Sequence, residues 1–271
     1  MTAVAEPGPT SLFVRVDDDL VLPTGLSRGP WSPDALHGAP VAILAAGAVE
    51  AVESDQPMVV SRITLELERP VPLAPLRATT VISRPGRKVR VVDVDISTPD
   101  GTRVARARAL QQRLGDVDLP EDPLLDLEPP PPGRDGIARM RSDWSSELLG
   151  YHLDATDLRF VEGDWVRPGP IVVWVHLTAE VFPGVAASPL QRVCAAADFG
   201  NGVSSVLPYQ DYVFINPDLT IHLLRPPTEE WVAMRTTSTV SATGTGMAES
   251  ALYDSAGRLG RSVQSLFVDR A

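Results

Sequence analysis

Residues 64–70 read TLELERP and residues 220–226 read TIHLLRP, so one pattern of Thr, alternating apolar residues and a final Arg-Pro occurs twice, at an offset of 156. An offset that stays constant over a long stretch indicates an internal repeat, and this repeat is the first evidence for the fold. No gap is needed to align the two halves over this region. The offset also aligns further residues: Ser32-Pro33 with Ser188-Pro189, Thr80 with Thr236, and Gly101 with Gly257.

Each copy begins with an apolar, Ala-rich stretch of helical length, at Pro33 to Val52 and at Pro189 to Val206. The Ser-Pro pair at its start is typical of a helix cap, and Pro40 is expected to delay or kink the first helix. Period-two segments with turn residues between them then predict an antiparallel meander. The expected strands are Phe13 to Leu22, Ile63 to Glu68, Val81 to Ser83, Val89 to Ile96, Val104 to Gln111, Leu158 to Leu177, Leu219 to Leu224, Thr236 to Ser241, Met247 to Tyr253 and Gly260 to Val268.

The repeat therefore predicts an α+β protein in which a long helix is wrapped by an antiparallel sheet, once per copy. Each sheet would otherwise expose an edge, so we expect the two sheets to pair edge to edge into one continuous sheet. Residues 1–113 form the first copy and 141–271 the second. The segment 114–140 contains Glu128-Pro129-Pro130-Pro131-Pro132-Gly133, which favours neither helix nor ladder and indicates a linker.

The amino-acid composition argues against several classes of function. The 271 residues are 44% hydrophobic and carry 24 Lys+Arg against 35 Asp+Glu, a net charge of −11 that disfavours nucleic acid and anionic membranes as partners. No apolar run is long enough to span a bilayer, and Met1 to Pro7 lack the features of a secretory leader, so a cytoplasmic location is expected. The single cysteine, Cys194, is expected to be a small buried residue. The four histidines show no ligand spacing, which argues against a metal site.

The second copy carries the most specific segments: Ala195-Ala196-Ala197-Asp198 in the helix, Phe214-Ile215-Asn216-Pro217-Asp218 entering a strand, and Arg261-Ser262-Val263-Gln264 on the last strand. With these segments the chain resembles the acyl-CoA thioesterases of the TesB-like type, which carry two hotdog folds in one chain. The resemblance implies a cytoplasmic thioesterase of lipid metabolism that uses no cofactor. It also implies that Asp198, Asn216 and Gln264 converge on an attacking water, although some relatives have Thr where this chain has Asn216.

The repeat gives a second argument for one site. At an offset of 156 the first-copy counterparts of the three residues are Ala42, Val60 and Arg108, so none of the polar groups is duplicated. Each residue also has a purely structural alternative: a loosened helix end for Asp198, loop geometry before proline for Asn216 and an outward strand position for Gln264.

Other candidate residues are given structural roles. His37-Gly38 lies at the start of the first helix, where it could border the cleft, but a capping or packing role is favoured. The basic run Ser83 to Arg90 is interpreted as a solvated hairpin tip, and Thr243 to Gly246 as a strand connection. No Gly-Xaa-Ser-Xaa-Gly elbow occurs, which argues against a serine hydrolase.

Three functions compete at this stage. The first is hydrolysis of an acyl-CoA, by water attack, to a free acid and CoA. The second is a hotdog hydratase or dehydratase acting on an enoyl or hydroxyacyl thioester, ranked lower because Asp198 has no His near it in sequence, with His222 the one remote option. The third is an acyl-thioester binding protein without catalysis. Assembly of the double-hotdog unit into a homo-oligomer stays open.

Overall fold

The computed structural model describes residues 8–120, 129–140 and 148–271. Met1 to Pro7, on which the leader prediction rests, lie outside the described residues, as do Glu128 of the linker and the start of the second copy at 141. The described strands are β1 (Phe13–Arg15), β2 (Leu20–Pro23), β3 (Met58–Leu67), β4 (Leu76–Arg84), β5 (Val89–Ser97), β6 (Arg103–Arg113), β7 (Thr156–Glu162), β8 (Ile171–Leu177), β9 (Tyr212–Ile215), β10 (Asp218–Leu223), β11 (Trp231–Val240), β12 (Thr245–Asp254) and β13 (Gly257–Arg270). The helices are α1 (Gly38–Glu50), α2 (Tyr151–Asp154), α3 (Pro189–Ala197) and α4 (Gly200–Val203), with a short 3-10 turn at Gly25–Ser27.

All described strands belong to one antiparallel sheet. Its order is β1-β2-β4-β5-β6-β3-β10-β13-β12-β11-β8-β7, with β9 pairing β13 beside this path. Strands of the first half therefore form one side of the sheet and strands of the second half form the other. The predicted edge-to-edge pairing into a continuous sheet is confirmed, since β3 and β10 join the two halves.

The junction between β3 and β10 reflects the repeat directly. Thr64 lies opposite Thr220, and their hydroxyls are 3.2 Å apart. Ile63 faces Ile221 and Leu65 faces Leu219, so apolar residues of the two halves are buried side by side. Thr64 and Thr220, which the offset of 156 makes equivalent, are thus the central pair of the junction.

The first helix begins later than predicted. Residues 33–37 do not form a helix, because Leu36 donates its amide to Val71 and Ala35 bridges to Pro72 beside the sheet. His37 is the N-cap of α1 in place of Ser32, and Pro40 occupies the first turn, where its missing N–H costs no hydrogen bond.

The second helix begins where predicted and ends early. Ser188 caps α3 through a capping box with Gln191, and Pro189 occupies the first position. The predicted single helix to Val206 is wrong, because α3 ends at Ala197 and the separate turn α4 follows after Asp198.

Both long helices pack together on the inner face of the sheet. Val41, Ile43 and Val49 of α1 and Val193 of α3 are fully buried there. Cys194 is buried beside them as predicted, and burial raises the pKa of its thiol. This packing places the first residues of α1 against the last residues of α3, where the candidate site lies.

Pro132 and Arg134 of the linker lie against the outer face of the second half. The carbonyl of Pro132 accepts a hydrogen bond of 2.9 Å from the Trp174 indole N–H. The Arg134 guanidinium lies 4.9 Å from the ring centres of both Trp174 and Trp231, an arrangement favourable for cation–π attraction. These contacts hold residues 132 and 134 against β8 and β11.

The register of β13 predicts one stability effect. Gly260 lies so close to β10 that a Cβ added at this position would overlap the carbonyl oxygen of His222. Gly260→Ala should therefore lower the free energy of unfolding in urea by about 3 kcal/mol. Gly133→Ala is the matched control, since a Cβ there meets nothing, and its effect should be small. Equal stability of Gly260→Ala and wild type would contradict the described β10–β13 pairing.

Candidate active site

Asp198 lies at the point where α3 ends, with helical backbone angles of φ −76° and ψ −11°. It is only 6% exposed, so its carboxylate is enclosed by protein groups. A negative charge at a helix C-terminus is unfavourable for the helix dipole. The N-terminus of α1 lies on the other side of the carboxylate, however, and a positive helix end favours the same charge.

Gln264 holds the carboxylate from the sheet. It lies on β13 with 1% of its surface exposed, and its amide Nε2 donates to Asp198 Oδ1 at 3.1 Å. The same nitrogen is 3.2 Å from the Asp198 carbonyl oxygen, and Gln264 Oε1 accepts from the backbone N–H of Asn201 at 2.9 Å. These partners define the orientation of the side-chain amide.

Asn216 reaches the same oxygen from the loop between β9 and β10. Its Nδ2 donates to Asp198 Oδ1 at 2.9 Å. The next residue, Pro217, accepts a hydrogen bond of 2.7 Å from the Leu67 N–H, which ties this loop to the first half. The three residues named from sequence thus lie together, with both amides bonded to the carboxylate itself.

The sequence argument did not assign His37 to this site. His37 Nδ1 lies 2.8 Å from Asp198 Oδ2, and the helix-capping contact from the Ala39 N–H to Nδ1 is 3.1 Å. The structure therefore gives His37 both the predicted capping position and a contact with the carboxylate. The statement that Asp198 has no nearby His holds along the sequence and is wrong in space, while His222 is exposed on β10. The pair His37-Gly38 at a predicted helix start was the sequence feature that could have assigned His37 to the site.

Gly38 is a glycine because the carboxylate lies against it. A Cβ at position 38 would come within 2.7 Å of Asp198 Oδ2 and 2.8 Å of Oδ1. No side chain fits there unless Asp198 moves. The close approach brings the first turn of α1 to the carboxylate without an intervening side chain.

The carboxylate opens to a cavity of about 730 Å³ between the two halves. One side is the loop before α1 together with Leu67, Arg69 and Val71, and the other is formed by the second half. Among the described residues, the Trp, Phe and Tyr side chains that line the cavity are Trp31, Trp165, Phe199 and Tyr209. An apolar cavity with a few convergent polar groups is the usual form of a small-molecule site.

Two further titratable side chains surround His37. Burial is the main cause that lowers the pKa of His152 to about 4, and the neighbouring His37 lowers it further. Burial also raises the pKa of Tyr151 well above its ordinary value, and its hydroxyl donates to the Ala195 carbonyl at 3.0 Å. His152 is thus neutral near pH 7, and the Tyr151 hydroxyl keeps its proton.

The first-half counterpart of Gln264 differs from the one that the constant offset gave. Arg108 lies opposite Thr64 and Val263 lies opposite Thr220, so Val263 is the strand equivalent of Arg108. Gln264 is then equivalent to Ala109, which is fully buried. Arg108 instead lies on the outer face and pairs with Asp93, with N–O distances of 2.7 and 3.0 Å.

The basic run does not border this cavity. Arg84, Arg87 and Lys88 are exposed at the β4–β5 turn, as predicted, whereas Arg90 is buried and bonds to the Val52 and Glu53 carbonyls. A separate open cavity of about 710 Å³ borders Arg87 and Arg90. Across the described residues we find no group of His, Cys, Asp and Glu side chains that could hold a metal ion. None of the described helices is long and apolar enough to cross a bilayer.

Comparisons with solved structures show that the chain has a hotdog fold. A candidate thioesterase II from Thermobifida fusca is 21% identical, with a TM-score of 0.72 and 96% coverage of both chains. A protein of unknown function with a hot dog fold from Alicyclobacillus acidocaldarius is 14% identical, with a TM-score of 0.68 and 97% coverage of both chains. An acyl-CoA thioesterase II from Mycobacterium marinum is 14% identical, with a TM-score of 0.61 over 96% of this chain and 95% of that one.

Sequence comparisons identify the family. No curated protein matches the sequence. The profile of the acyl-CoA thioesterase N-terminal domain matches residues 27–112, and that of the acyl-CoA thioesterase C-terminal domain matches residues 120–268. Together the two profiles account for most of the chain, so this protein belongs to the acyl-CoA thioesterase family and is a thioester hydrolase.

Proposed function

We propose that this protein hydrolyses an acyl-CoA thioester to the free acid and CoA in the cavity beside Asp198. The observation that carries the proposal is the buried carboxylate itself, held by two amides and open to an apolar cavity. Water attacks a thioester slowly at neutral pH, so catalysis needs a group that accepts the water proton and groups that fix the geometry. The acyl chain occupies the aromatic part of the cavity.

Each of the three residues has a distinct role in this proposal. Asp198 anchors the attacking water or takes its proton. Asn216 and Gln264 donate to Oδ1 and thereby fix the plane of the carboxylate, which leaves Oδ2 directed toward His37. Fixing a reacting group in one orientation removes the entropy cost of finding it in the transition state.

The organisation of the chain supports this arrangement. We interpret residues 1–113 and 141–271 as two hotdog units joined by 114–140, with the reaction carried by the second unit and completed by the start of α1. The CoA moiety carries phosphates, and Arg69 at the cavity supplies a positive charge for it in a chain of net charge −11.

The His37–Asp198 contact also favours a second candidate. A hydratase of this fold needs an Asp and a His at one site, and the 2.8 Å contact supplies that pair. Free-thiol release on a panel of acyl-CoAs separates the alternatives, because a hydratase leaves the thioester intact and a binding protein shows affinity without turnover. Thiol release with saturated acyl chains supports hydrolysis, since those substrates cannot be hydrated.

Asp198→Asn tests the proposed centre of the site. The amide keeps the shape of the side chain but removes the charge, so kcat for thiol release should fall by about a hundredfold to ten-thousandfold. Arg108→Ala on the outer face is the control and should leave kcat within about twofold. Melting temperatures of both variants verify folding. Full activity in Asp198→Asn would remove the residue from the mechanism.

Gly38→Ala tests the close approach of α1 to the carboxylate. The added methyl group must displace Asp198, so kcat should fall by about tenfold to a hundredfold, as expected for a misplaced catalytic group. Gly133→Ala is the control, since a methyl group there meets nothing. Displacing the buried, hydrogen-bonded carboxylate should also lower the melting temperature of Gly38→Ala, so activities are compared well below the melting temperatures of both variants. Equal loss of activity in both would show that the effect is not local.

A further inference from the structure

We propose that the chain binds a second acyl-CoA at the end of the α1–α3 helix pair that lies away from Asp198, and that it holds this ligand without hydrolysis. The binding place is a cavity of about 520 Å³ bordered by Glu50 at the end of α1, Leu190 at the start of α3 and Met58 at the start of β3. We call it the second cavity. The inference rests on the proposed function, because the ligand is the substrate of that reaction.

The second cavity is the repeat counterpart of the cavity beside Asp198. Leu67 ends β3, and both it and Pro70 border the cavity beside Asp198. Their counterparts at the offset of 156, Leu223 at the end of β10 and Pro226, border the second cavity. The same offset relates four more lining residues of the second cavity to lining residues of the other: Glu53, Ser54, Val59 and Val60 to Tyr209, Gln210, Ile215 and Asn216. Each cavity therefore takes one group of residues from each half of the chain, with the halves exchanged.

The helix ends repeat one arrangement with different side chains. At the cavity beside Asp198, the N-cap residue of α1 lies 2.8 Å from the carboxylate that follows α3. At the second cavity, the N-cap residue of α3 is Ser188, and its hydroxyl donates to Oε2 of Glu50, the last residue of α1, at 2.6 Å. Both ends of the helix pair thus place a carboxylate beside a helix N-terminus and a cavity.

The second cavity lacks the amides that hold Asp198. By the offset, Asn216 corresponds to Val60, and the strand pairing makes Ala109 the counterpart of Gln264. Val60 and Ala109 are buried, and neither side chain can donate a hydrogen bond. No pair of amides orients a carboxylate for water attack at these positions, so we expect binding without turnover.

The lining of the second cavity suits an acyl chain. Most of its side chains are apolar, and Met58, Leu190 and Leu223 face it from three different elements. Small-molecule sites are usually apolar clefts of about 300 to 1,000 Å³ with a few polar groups, and the second cavity falls within that range.

The basic run of the sequence lies beside the second cavity. The second cavity shares Glu53, Ser54 and Arg90 with the open cavity of about 710 Å³ that Arg87 borders. The two cavities therefore adjoin. An acyl-CoA with its acyl chain in the second cavity extends its phosphates along the open cavity toward the β4–β5 turn.

The charges of this turn fit the phosphates. Arg84, Arg87 and Lys88 are exposed, and none of the ion pairs in the described part of the chain includes them. Glu53 and Asp55 border the open cavity as well, so we place the phosphates at the tip of the turn, where the cations lie. At the offset of 156 the three cations correspond to uncharged residues: Val240, Thr243 and Gly244. The equivalent turn of the second half therefore carries no such charge.

A binding experiment with S-octyl-CoA tests the inference. This thioether keeps the CoA moiety and an apolar chain but has no carbonyl for water to attack. Calorimetric titration of the wild-type protein at low ionic strength should give two molecules bound per chain, one in each cavity. Octanoate should bind far more weakly at the second cavity, because it lacks the phosphates. One S-octyl-CoA per chain overturns the inference, as does octanoate that binds equally tightly.

Two variants assign the second molecule to the second cavity. Met58→Trp fills the cavity and should reduce binding to one molecule per chain. Arg87→Glu, at an exposed position where folding is not at risk, should weaken one of the two sites by about tenfold at low ionic strength and less in high salt. Arg261→Glu is the matched control, an exposed arginine outside the lining of both cavities, and should keep both affinities close to wild type. Two molecules bound by folded Met58→Trp, or equal affinities in Arg87→Glu and Arg261→Glu, overturn the assignment.

Turnover distinguishes failure of this inference from failure of the proposed function. Thiol release by the wild-type protein together with one bound S-octyl-CoA overturns the second site alone. Absence of thiol release from every acyl-CoA overturns the proposed function, whatever the number of molecules bound. Thiol release that Met58→Trp abolishes and Asp198→Asn leaves intact would place hydrolysis in the second cavity, against the inference.

Discussion

A buried carboxylate must be given hydrogen-bond donors, and the arrangement around Asp198 follows from that constraint. Burying an unpaired charge costs on the order of several kcal/mol of folding free energy. Three elements supply the partners of Asp198: β13 through Gln264, the β9–β10 loop through Asn216 and the start of α1 through His37. The need to pair the Asp198 carboxylate therefore explains why these three elements meet at the site.

The continuous sheet brings the elements that pair with Asp198 together. The pairing of β3 with β10 sets the two halves side by side, and the packing of α1 on α3 brings the positive end of one helix to the carboxylate at the end of the other. Gly38 permits the close approach because a side chain there would meet the carboxylate. The end of α3 at Ala197 is also needed for the site, because a helix continued to Val206 would place Asp198 in its interior.

Much of this was accessible from sequence. Period-two segments predicted the strands, the cost of exposed sheet edges predicted the central junction, and the family resemblance named Asp198, Asn216 and Gln264. The offset of 156 aligned the two halves. It failed for the helices, where the Ser-Pro pairs are not equivalent: Ser188 caps α3, whereas residues 33–37 run beside the sheet. It also paired Gln264 with Arg108 because a one-residue shift between β6 and β13 is invisible without strand pairing. His37 was hidden by distance along the chain, since only the packing of α1 on α3 brings it to Asp198.

The central claim is that Gln264 and Asp198 act as one unit, joined by the 3.1 Å hydrogen bond from Nε2 to Oδ1. A double-mutant cycle on kcat for thiol release tests it most directly, using Gln264→Ala, Asp198→Asn and the combination. Residues that act as a unit are strongly non-additive, so the double variant should be no slower than the slower single variant, within about threefold. Losses that multiply in the double variant would mean that the two residues act independently, and the account would be wrong.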